Sequence, residues 1–159
     1  MPGDIRAKER AIVTLTLTGG SLTTGSAGPG NQTADFDARA AGNFPDDLQA
    51  QFELVCQWAT ITSIVAGTIA AELYLVPILD GTNLPDVDLT AGTSRLPYST
   101  YAGAFECTKA PVAATNMRFV TGNVTFNPAL MRPYILNRSG QAINANWSLK
   151  AVSVQAQYT

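Results

Sequence analysis

Few side chains in this sequence could take part in nucleophilic catalysis or bind a transition metal. The chain contains no histidine and only two cysteines, Cys56 and Cys107, far apart in the sequence. A serine or cysteine nucleophile usually needs a histidine as its base, and a usual zinc site needs more histidine or cysteine ligands than this chain has. Both cysteines follow an apolar alternation, with Phe52 and Phe105 respectively, and we interpret them as buried hydrophobic residues. A disulfide between them is the alternative.

Carboxylate chemistry remains, because two acids that face each other across a groove can hydrolyse a glycosidic bond. Most of the acidic residues lie in polar segments, where simple solvation is the preferred interpretation. The candidate acids are Asp35, Asp37, Asp46, Asp47, Glu53, Glu72, Asp80, Asp86, Asp88 and Glu106. The loop at 80–88 could also offer oxygen ligands to calcium, but its spacing does not match an EF-hand. We therefore expect no catalytic residue, no metal site and no cofactor.

Aromatic side chains could instead stack on a sugar ring, as in lectin-like sandwiches. Trp58 and Trp147 follow the alternation of predicted strands, so we interpret them as core residues. Tyr98 and Tyr101 flank a loop and are the better surface candidates for a glycan contact. Basic residues in the second half of the chain are scattered rather than clustered, which gives poor support for specific nucleic-acid binding.

Hydrophobic alternation predicts that β-strands position these residues. The strongest signal is the apolar run at 71–79, which has apolar residues on both faces and ends on the Asp-Gly turn signal at 80–81. It predicts a strand covered on two sides, in which Pro77 lies at an edge or a bulge because proline cannot donate to a ladder. Further strands are predicted at 11–18, 48–65 (one strand, or two joined by a bulge), 101–109, 118–126, 131–137 and 147–158.

Two further predictions concern the end of the chain. The segment 137–142 is a tight-turn signal in which Gly140 can take a positive φ, and it predicts a hairpin between the strands on either side. In the last strand the apolar phase changes between Leu149 and Val152, which predicts a β-bulge near Ala151.

The pattern as a whole predicts an all-β fold, an antiparallel β-sandwich of jelly-roll type with long loops and little helix. A short segment at 46–53 is the one helix candidate. The length suits a single domain at 11–159, preceded by a flexible charged N-terminal arm at 1–10. The chain shows no signal-peptide pattern and no apolar run long enough for a membrane span, so we expect no membrane association.

Charge is scarce and unevenly distributed. Charged residues make up 14% of the chain, against about 25% in typical soluble domains, which suggests that neighbours cover part of the surface. Residues 1–88 hold eleven acids and four bases, whereas residues 89–159 hold one acid and six bases. Either the two halves interleave and largely cancel, or the surface is bipolar and suited to head-to-tail packing or a charged partner.

Three segments carry a resemblance to a known class of proteins. They are Glu72-Leu-Tyr-Leu-Val-Pro-Ile-Leu-Asp-Gly-Thr-Asn83, Leu136-Asn-Arg-Ser-Gly-Gln-Ala142 and the closing strand from Leu149 to Tyr158. In these segments, and over roughly residues 50–159, the chain resembles small tailed-bacteriophage virion proteins with a jelly-roll fold. The resemblance implies a non-enzymatic structural protein of the virion that decorates or cements the capsid. The alternatives are a neck or tail component and a carbohydrate-binding module for host recognition.

The resemblance also implies partners: further copies of this chain, as a homotrimer, and the major capsid protein or other virion proteins. The implied location is the virion, after assembly in the host cytoplasm. We expect the contacts to come from the arm and from the loops at 19–47 and 83–97, with a glycan as a less favoured partner. The candidate contact residues are Arg6, Lys8, Arg10, Phe36, Phe44, Asp86, Asp88, Tyr98 and Tyr101.

Overall fold

The structure is a computed structural model that describes residues 5–9, 13–15, 21–25, 27–29, 36–37, 49–78, 88, 92–96, 99–125, 130–145 and 147–158. Within these ranges the chain forms strands and no helix. In chain order the strands are β1 (Ile5–Glu9), β2 (Val13–Leu15), β3 (Ala27–Pro29), β4 (Phe36–Asp37), β5 (Gln49–Cys56), β6 (Ile69–Pro77), β7 (Thr100–Glu106), β8 (Met117–Val120), β9 (Val124–Thr125), β10 (Leu130–Asn137) and β11 (Ser148–Tyr158).

Two antiparallel sheets pack face to face, so the predicted all-β sandwich is confirmed. Sheet 1 has the order β1-β11-β5-β8, with β2 also paired to β11 and β9 also paired to β5. Sheet 2 has the order β3-β10-β6-β7, with β4 also paired to β10. Most connections therefore cross from one sheet to the other, and only β6 and β7 form a consecutive pair of neighbours.

The main core lies between the two sheets. Alternate residues of β5, Phe52 and Leu54 among them, are fully buried there and meet inward residues of β6 such as Leu73. Trp58 and Trp147 belong to the same core, as the alternation predicts. Burying each large apolar side chain stabilises the fold by about 1.5–3 kcal/mol relative to leaving it in water.

The strand β6 is apolar on both faces, as predicted, because a second, smaller cluster covers its outer face. Leu73 and Leu75 face the main core, whereas Val76 joins Tyr134 in the second cluster. Leu96, from the predicted long loop at 83–97, packs against this second cluster. The strand ends at Pro77, which is the last residue of a central strand rather than part of a sheet edge.

The turn at 137–142 is confirmed, but the predicted hairpin is wrong. Gly140 has a φ of 79°, as a tight turn requires. However, β10 lies in sheet 2, and the next strand, β11, pairs with β5, β1 and β2 in sheet 1. The local turn signal fixes the reversal of the chain, whereas the partner of the returning strand depends on the faces that both strands must bury.

The predicted bulge near Ala151 is also wrong. The pairing of β11 with β5 runs without a shift from Ser148 opposite Val55 to Val154 opposite Gln49. Ala151 is therefore in the main core, and Val152 lies on the outer face of sheet 1, where it is half-buried. The apolar phase changes because the outer face of sheet 1 is itself partly apolar.

Several predicted boundaries differ in the structure. The predicted strand at 48–65 ends at Cys56, and the helix candidate at 46–53 is wrong because β5 occupies 49–53. The predicted loop at 19–47 contains β3, β4 and the buried Leu22, which bridges to Ile143. Residues 5–9 of the predicted flexible arm form β1 and pair with β11 along their whole length.

Candidate docking surface

Three connections meet at one end of the sandwich. They are residues 57–68 between β5 and β6, residues 107–116 between β7 and β8, and residues 138–145 after β10. Hydrogen bonds join each of them to at least one of the others. We call the surface that these three connections form the loop end.

A buried polar network fixes the loop end to the core. Asn137 is fully buried, and its Nδ2 donates to the carbonyl oxygens of Leu22 (2.7 Å) and Gln141 (2.8 Å). Its Oδ1 accepts from the Ser139 N–H (2.9 Å) and lies 2.8 Å from the Ser139 hydroxyl. The same hydroxyl accepts from Trp58 Nε1 at 3.0 Å. The polar atoms of this Asn side chain are therefore all satisfied, as burial requires.

Further hydrogen bonds join 57–68 to 138–145 nearer the surface. The Thr62 N–H donates to Gln141 Oε1 at 2.9 Å, and Gln141 Nε2 donates back to the Thr62 hydroxyl at 3.0 Å. The Asn144 N–H donates to the carbonyl of Gln57 at 2.9 Å. The two connections therefore hold each other in one arrangement.

Backbone hydrogen bonds join 57–68 to 107–116 in the same way. The Ala114 N–H donates to the carbonyl of Trp58 at 2.7 Å. Gly67 donates to Cys107 at 2.8 Å, and Cys107 donates to Thr68 at 2.9 Å. The loop end is consequently a surface of fixed shape rather than a set of independent loops.

The loop end carries almost no charge and exposes apolar side chains. Residues 57–68 include no charged residue, residues 107–116 include only Lys109, and residues 138–145 include only Arg138, which is paired with Glu72. Val65 and Val112 are 59% and 65% exposed, and Ile69, at the start of β6, is 40% exposed. Depletion of charge is typical of the core of protein interfaces, and clustered exposed apolar residues mark interaction sites. The surface is suited to contact with another uncharged protein surface.

A second surface feature is a shallow depression of about 350 Å³ on the outer face of sheet 1. Glu53 lies in it, with its Oε1 3.0 Å from Arg118 Nη1 and 3.5 Å from Lys150 Nζ. Val120, 60% exposed, and Val152 also line it. Exposed ion pairs of this kind contribute only about 0–1 kcal/mol to stability. We therefore interpret the depression as part of an ordinary charged sheet face.

The structure places five of the nine sequence-predicted contact residues, and none of these five belongs to the loop end. Tyr101 is 55% exposed on β7, and Asp88 is exposed, with its backbone paired to Arg95. Arg6 and Lys8 belong to β1, and Phe36 belongs to β4. Arg10, Phe44, Asp86 and Tyr98 lie outside the described residues.

Sequence reasoning missed the loop end because it interpreted 57–65 as a continuation of a strand. The signal that could have found it is the stretch 54–71, which contains no charged residue. Its first three residues belong to β5 and its last three to β6, and most of the connection between them is exposed, apart from the buried Trp58 and Ile64. An uncharged, exposed segment of that length is unusual on a surface that faces only water.

Glu53 and Glu72, which both lie within strands, do not form a pair that could act on a glycosidic bond. Glu53 and Glu72 lie on the outer faces of opposite sheets, each in an ion pair with an arginine, so they do not face each other across a groove. The described ranges hold no group of three or more His, Cys, Asp or Glu side chains that could bind a metal ion. The same ranges contain no helix long and apolar enough to cross a membrane.

No family model, curated protein or solved structure matches this chain. The geometry of its surfaces is therefore the basis for the function proposed below.

The two thiols are buried and free, and we predict that they react only after unfolding. Burial, together with the nearby Cys107 thiol, raises the pKa of Cys56 to about 12, and burial raises the pKa of Cys107. Because the thiolate is the reactive form, the native protein at pH 8 should be labelled by a disulfide reagent far more slowly than the urea-unfolded chain. The variant Cys107→Ala should leave Cys56 equally protected. Rapid labelling of two thiols in the native protein would contradict this.

The raised pKa of Cys56 also makes the stability of the fold depend on pH. The thiol of the unfolded chain titrates near pH 9 and that of folded Cys56 near pH 12, so its contribution is fully present below pH 9. Above pH 9 the unfolded chain loses its proton first, and stability falls by about 1.4 kcal/mol per pH unit for this thiol until pH 12.

Proposed function

We propose that this protein is a non-enzymatic structural protein of a bacteriophage virion, which decorates or cements the capsid by docking through its loop end. The charge-poor surface with Val65, Val112 and Ile69 exposed is the observation that carries the proposal. Exposed apolar side chains on connections held by a buried network give a rigid surface, and rigidity lowers the entropy cost of binding. The protein acts through contacts and needs no reactive group.

The strand order supports this proposal. Three times, two short consecutive strands pair with the same neighbouring strand. β1 and β2 pair with β11, β3 and β4 with β10, and β8 and β9 with β5. If each pair is counted as one interrupted strand, the sandwich has eight strands in two sheets of four. We propose that this is a jelly roll, the double-sheet architecture of eight strands that viral capsid and lectin domains use.

Self-association is part of the proposal. With 14% charged residues, the chain has less charge than a domain exposed to water on all sides would carry. In a closed cyclic assembly every copy buries the same surface, so no interface is left exposed. We propose a homotrimer that contacts the major capsid protein.

The test is co-sedimentation with assembled capsids that lack the protein. The double variant Val65→Asp and Val112→Asp should bind at least about tenfold more weakly than the wild type, because a carboxylate buried at an interface without a partner is strongly unfavourable. Both positions are exposed, so the fold itself should be unaffected.

The matched control is Val120→Asp, which changes a valine of similar exposure, 60%, on the outer face of sheet 1. We expect this variant to bind capsids as the wild type does. Equal binding by the double variant, or loss of binding in Val120→Asp alone, would contradict docking through the loop end. Binding of the wild type to purified tails but not to heads would support the neck or tail location instead.

A further inference from the structure

A β-bulge in β7 determines the face on which Tyr101 lies. Gly103 is paired with Leu73, but the next pair is Tyr101 with Tyr74, so Ala102 is an extra residue. In a regular strand Tyr101 and Gly103 would share a face. The bulge instead places Tyr101 opposite Tyr74 on the outer face of sheet 2, where it is 55% exposed. Bulges re-aim side chains in this way and are frequent beside functional sites.

Tyr101 forms one end of a continuous aromatic and polar cluster. Its ring meets the ring of Tyr74 at a centroid distance of 5.6 Å and an angle of 66°. The Tyr74 hydroxyl donates to Glu72 Oε2 at 3.0 Å, and Arg138 Nε donates to the same oxygen at 2.8 Å. Burial and then the bond to Glu72 raise the pKa of Tyr74, so its hydroxyl remains a donor to that carboxylate.

Further contacts hold Arg138 and Tyr74 of this cluster in place. The N–H of Arg138 donates to the carbonyl of Ala70 at 3.1 Å, and its neighbours Asn137 and Ser139 belong to the buried network. Tyr74 packs against the cluster of Val76, Tyr134 and Leu136, which lie beside it on the outer face of sheet 2. A ligand would therefore find the ring, the carboxylate and the guanidinium already ordered.

The chemistry of the cluster suits a neutral ligand rich in hydroxyl groups. Glu72 and Arg138 neutralise each other, so the site has no net charge to select an anion or a cation. The side chain of Arg138 is 47% exposed and that of Glu72 is 19% exposed, so both can exchange hydrogen bonds with a ligand at the surface. The exposed ring of Tyr101 offers an apolar face next to these polar groups, which is the combination found in ligand sites.

We propose that Tyr101, Tyr74, Glu72 and Arg138 bind a neutral hexose residue of a glycan. The C–H face of the sugar lies on the ring of Tyr101, and its hydroxyl groups bond to the ion pair of Glu72 and Arg138. β7 is the edge strand of sheet 2, so a longer glycan can continue past the edge. Because the contacts come from side chains on one face of a sheet, we expect a Kd for one sugar unit in about the millimolar range. The site goes beyond capsid docking, because Tyr101, Tyr74 and Glu72 lie on the outer face of sheet 2, and only Arg138 belongs to the loop end.

The test is an NMR titration of the isotope-labelled full chain with methyl α-glucoside, methyl β-galactoside and N-acetylglucosamine, beside a glycan array. We expect at least one sugar to shift the amide signals of residues 72–74 and 100–104. Tyr101→Ala should weaken its binding at least about tenfold, whereas Tyr101→Phe, which keeps the ring, should retain binding. Because Tyr101 is exposed, neither change should unfold the domain.

The control variant is Val120→Ala, an equally exposed position on the other sheet, and it should bind sugar as the wild type does. Absence of binding by the wild type to the three sugars and to the array would overturn the proposal, as would unchanged binding in Tyr101→Ala. Tyr101→Ala should still co-sediment with capsids, and the Val65→Asp and Val112→Asp double variant should still bind sugar. Each proposal can therefore fail without the other.

Discussion

Replacing Asn137 by alanine should lower the free energy of unfolding by about 3–5 kcal/mol, which is a large part of the stability of a domain of this size. The side chain is fully buried and makes four hydrogen bonds, to Leu22, Gln141 and Ser139. Its removal leaves the buried Ser139 N–H without an acceptor, which costs about 1–3 kcal/mol. It also takes one of two donors from the carbonyl oxygens of Leu22 and Gln141, which keep the Ile143 N–H and the Ser139 hydroxyl, at about 0.5–1.5 kcal/mol for each lost bond.

Urea unfolding measured by tryptophan fluorescence would give this difference in stability. The matched control is Asn116→Ala, since Asn116 is exposed in another connection of the loop end and its loss should change stability by no more than about 0.5 kcal/mol. A second variant, Ser139→Ala, removes the acceptor of Trp58 Nε1 and should fall between the two. If Asn137→Ala were no more destabilising than Asn116→Ala, the network would not be what holds the loop end.

The strands were predictable because their signal is local. In β5 every second residue is buried, Phe52 and Leu54 among them, and in β10 the neighbours Tyr134 and Ile135 are buried on opposite faces. Both patterns follow directly from the period of a strand. The same reasoning identified β6 as covered on both faces. Pro77 ends that strand because it lacks the N–H that a further ladder bond would need.

The partners of the strands were not predictable from local signals. The turn at Gly140 was correct, yet β11 joins the other sheet, because the choice of partner depends on which faces must be buried across the whole sandwich. The bulge that turns Tyr101 outward was likewise not predictable from a local signal. Gly103 is its trace in the sequence, but only the register against Tyr74 shows on which face the ring lies.

For the two tryptophans, burial could be predicted from the sequence, whereas hydrogen bonding could not. Trp58 and Trp147 were both predicted to be core residues, and both are. The indole N–H of Trp58 donates to Ser139, 81 residues away in the chain, whereas that of Trp147 has no acceptor among the described residues. Contacts across such separations depend on the complete fold, so the alternation of one strand contains no information about them.

The loop end and the proposed sugar site share one support. Asn137 and Ser139 hold the loop end, and Arg138 between them reaches Glu72 on the outer face of sheet 2. A single buried network therefore orders two surfaces of the protein. Variants in the network should disturb both surfaces together, whereas variants of Val65 or Tyr101 should disturb only one.

Replacing Gly25 by alanine should destabilise the domain by about 3 kcal/mol, for two separable reasons. Gly25 has a φ of 74°, which costs an alanine about 1–2 kcal/mol, and an added Cβ would overlap the carbonyl of Gly92. The backbone cannot simply move away, because the Gly25 N–H donates to the carbonyl of Asn137 at 2.9 Å and its own carbonyl accepts from Ser94 at 3.1 Å. This close approach holds the described parts of both predicted long loops against their own domain.

Two other glycines separate the contributions in the same urea experiment. Gly67 has a φ of 87° but open space where a Cβ would lie, so Gly67→Ala should cost about 1–2 kcal/mol from the backbone alone. Gly122 has neither constraint, and Gly122→Ala should change stability by no more than about 0.5 kcal/mol. If Gly25→Ala cost no more than Gly67→Ala, the contact with Gly92 would be readily relieved. The segments 21–25 and 92–96 would then be free to move apart, and their place against sheet 2 would not be fixed by this contact.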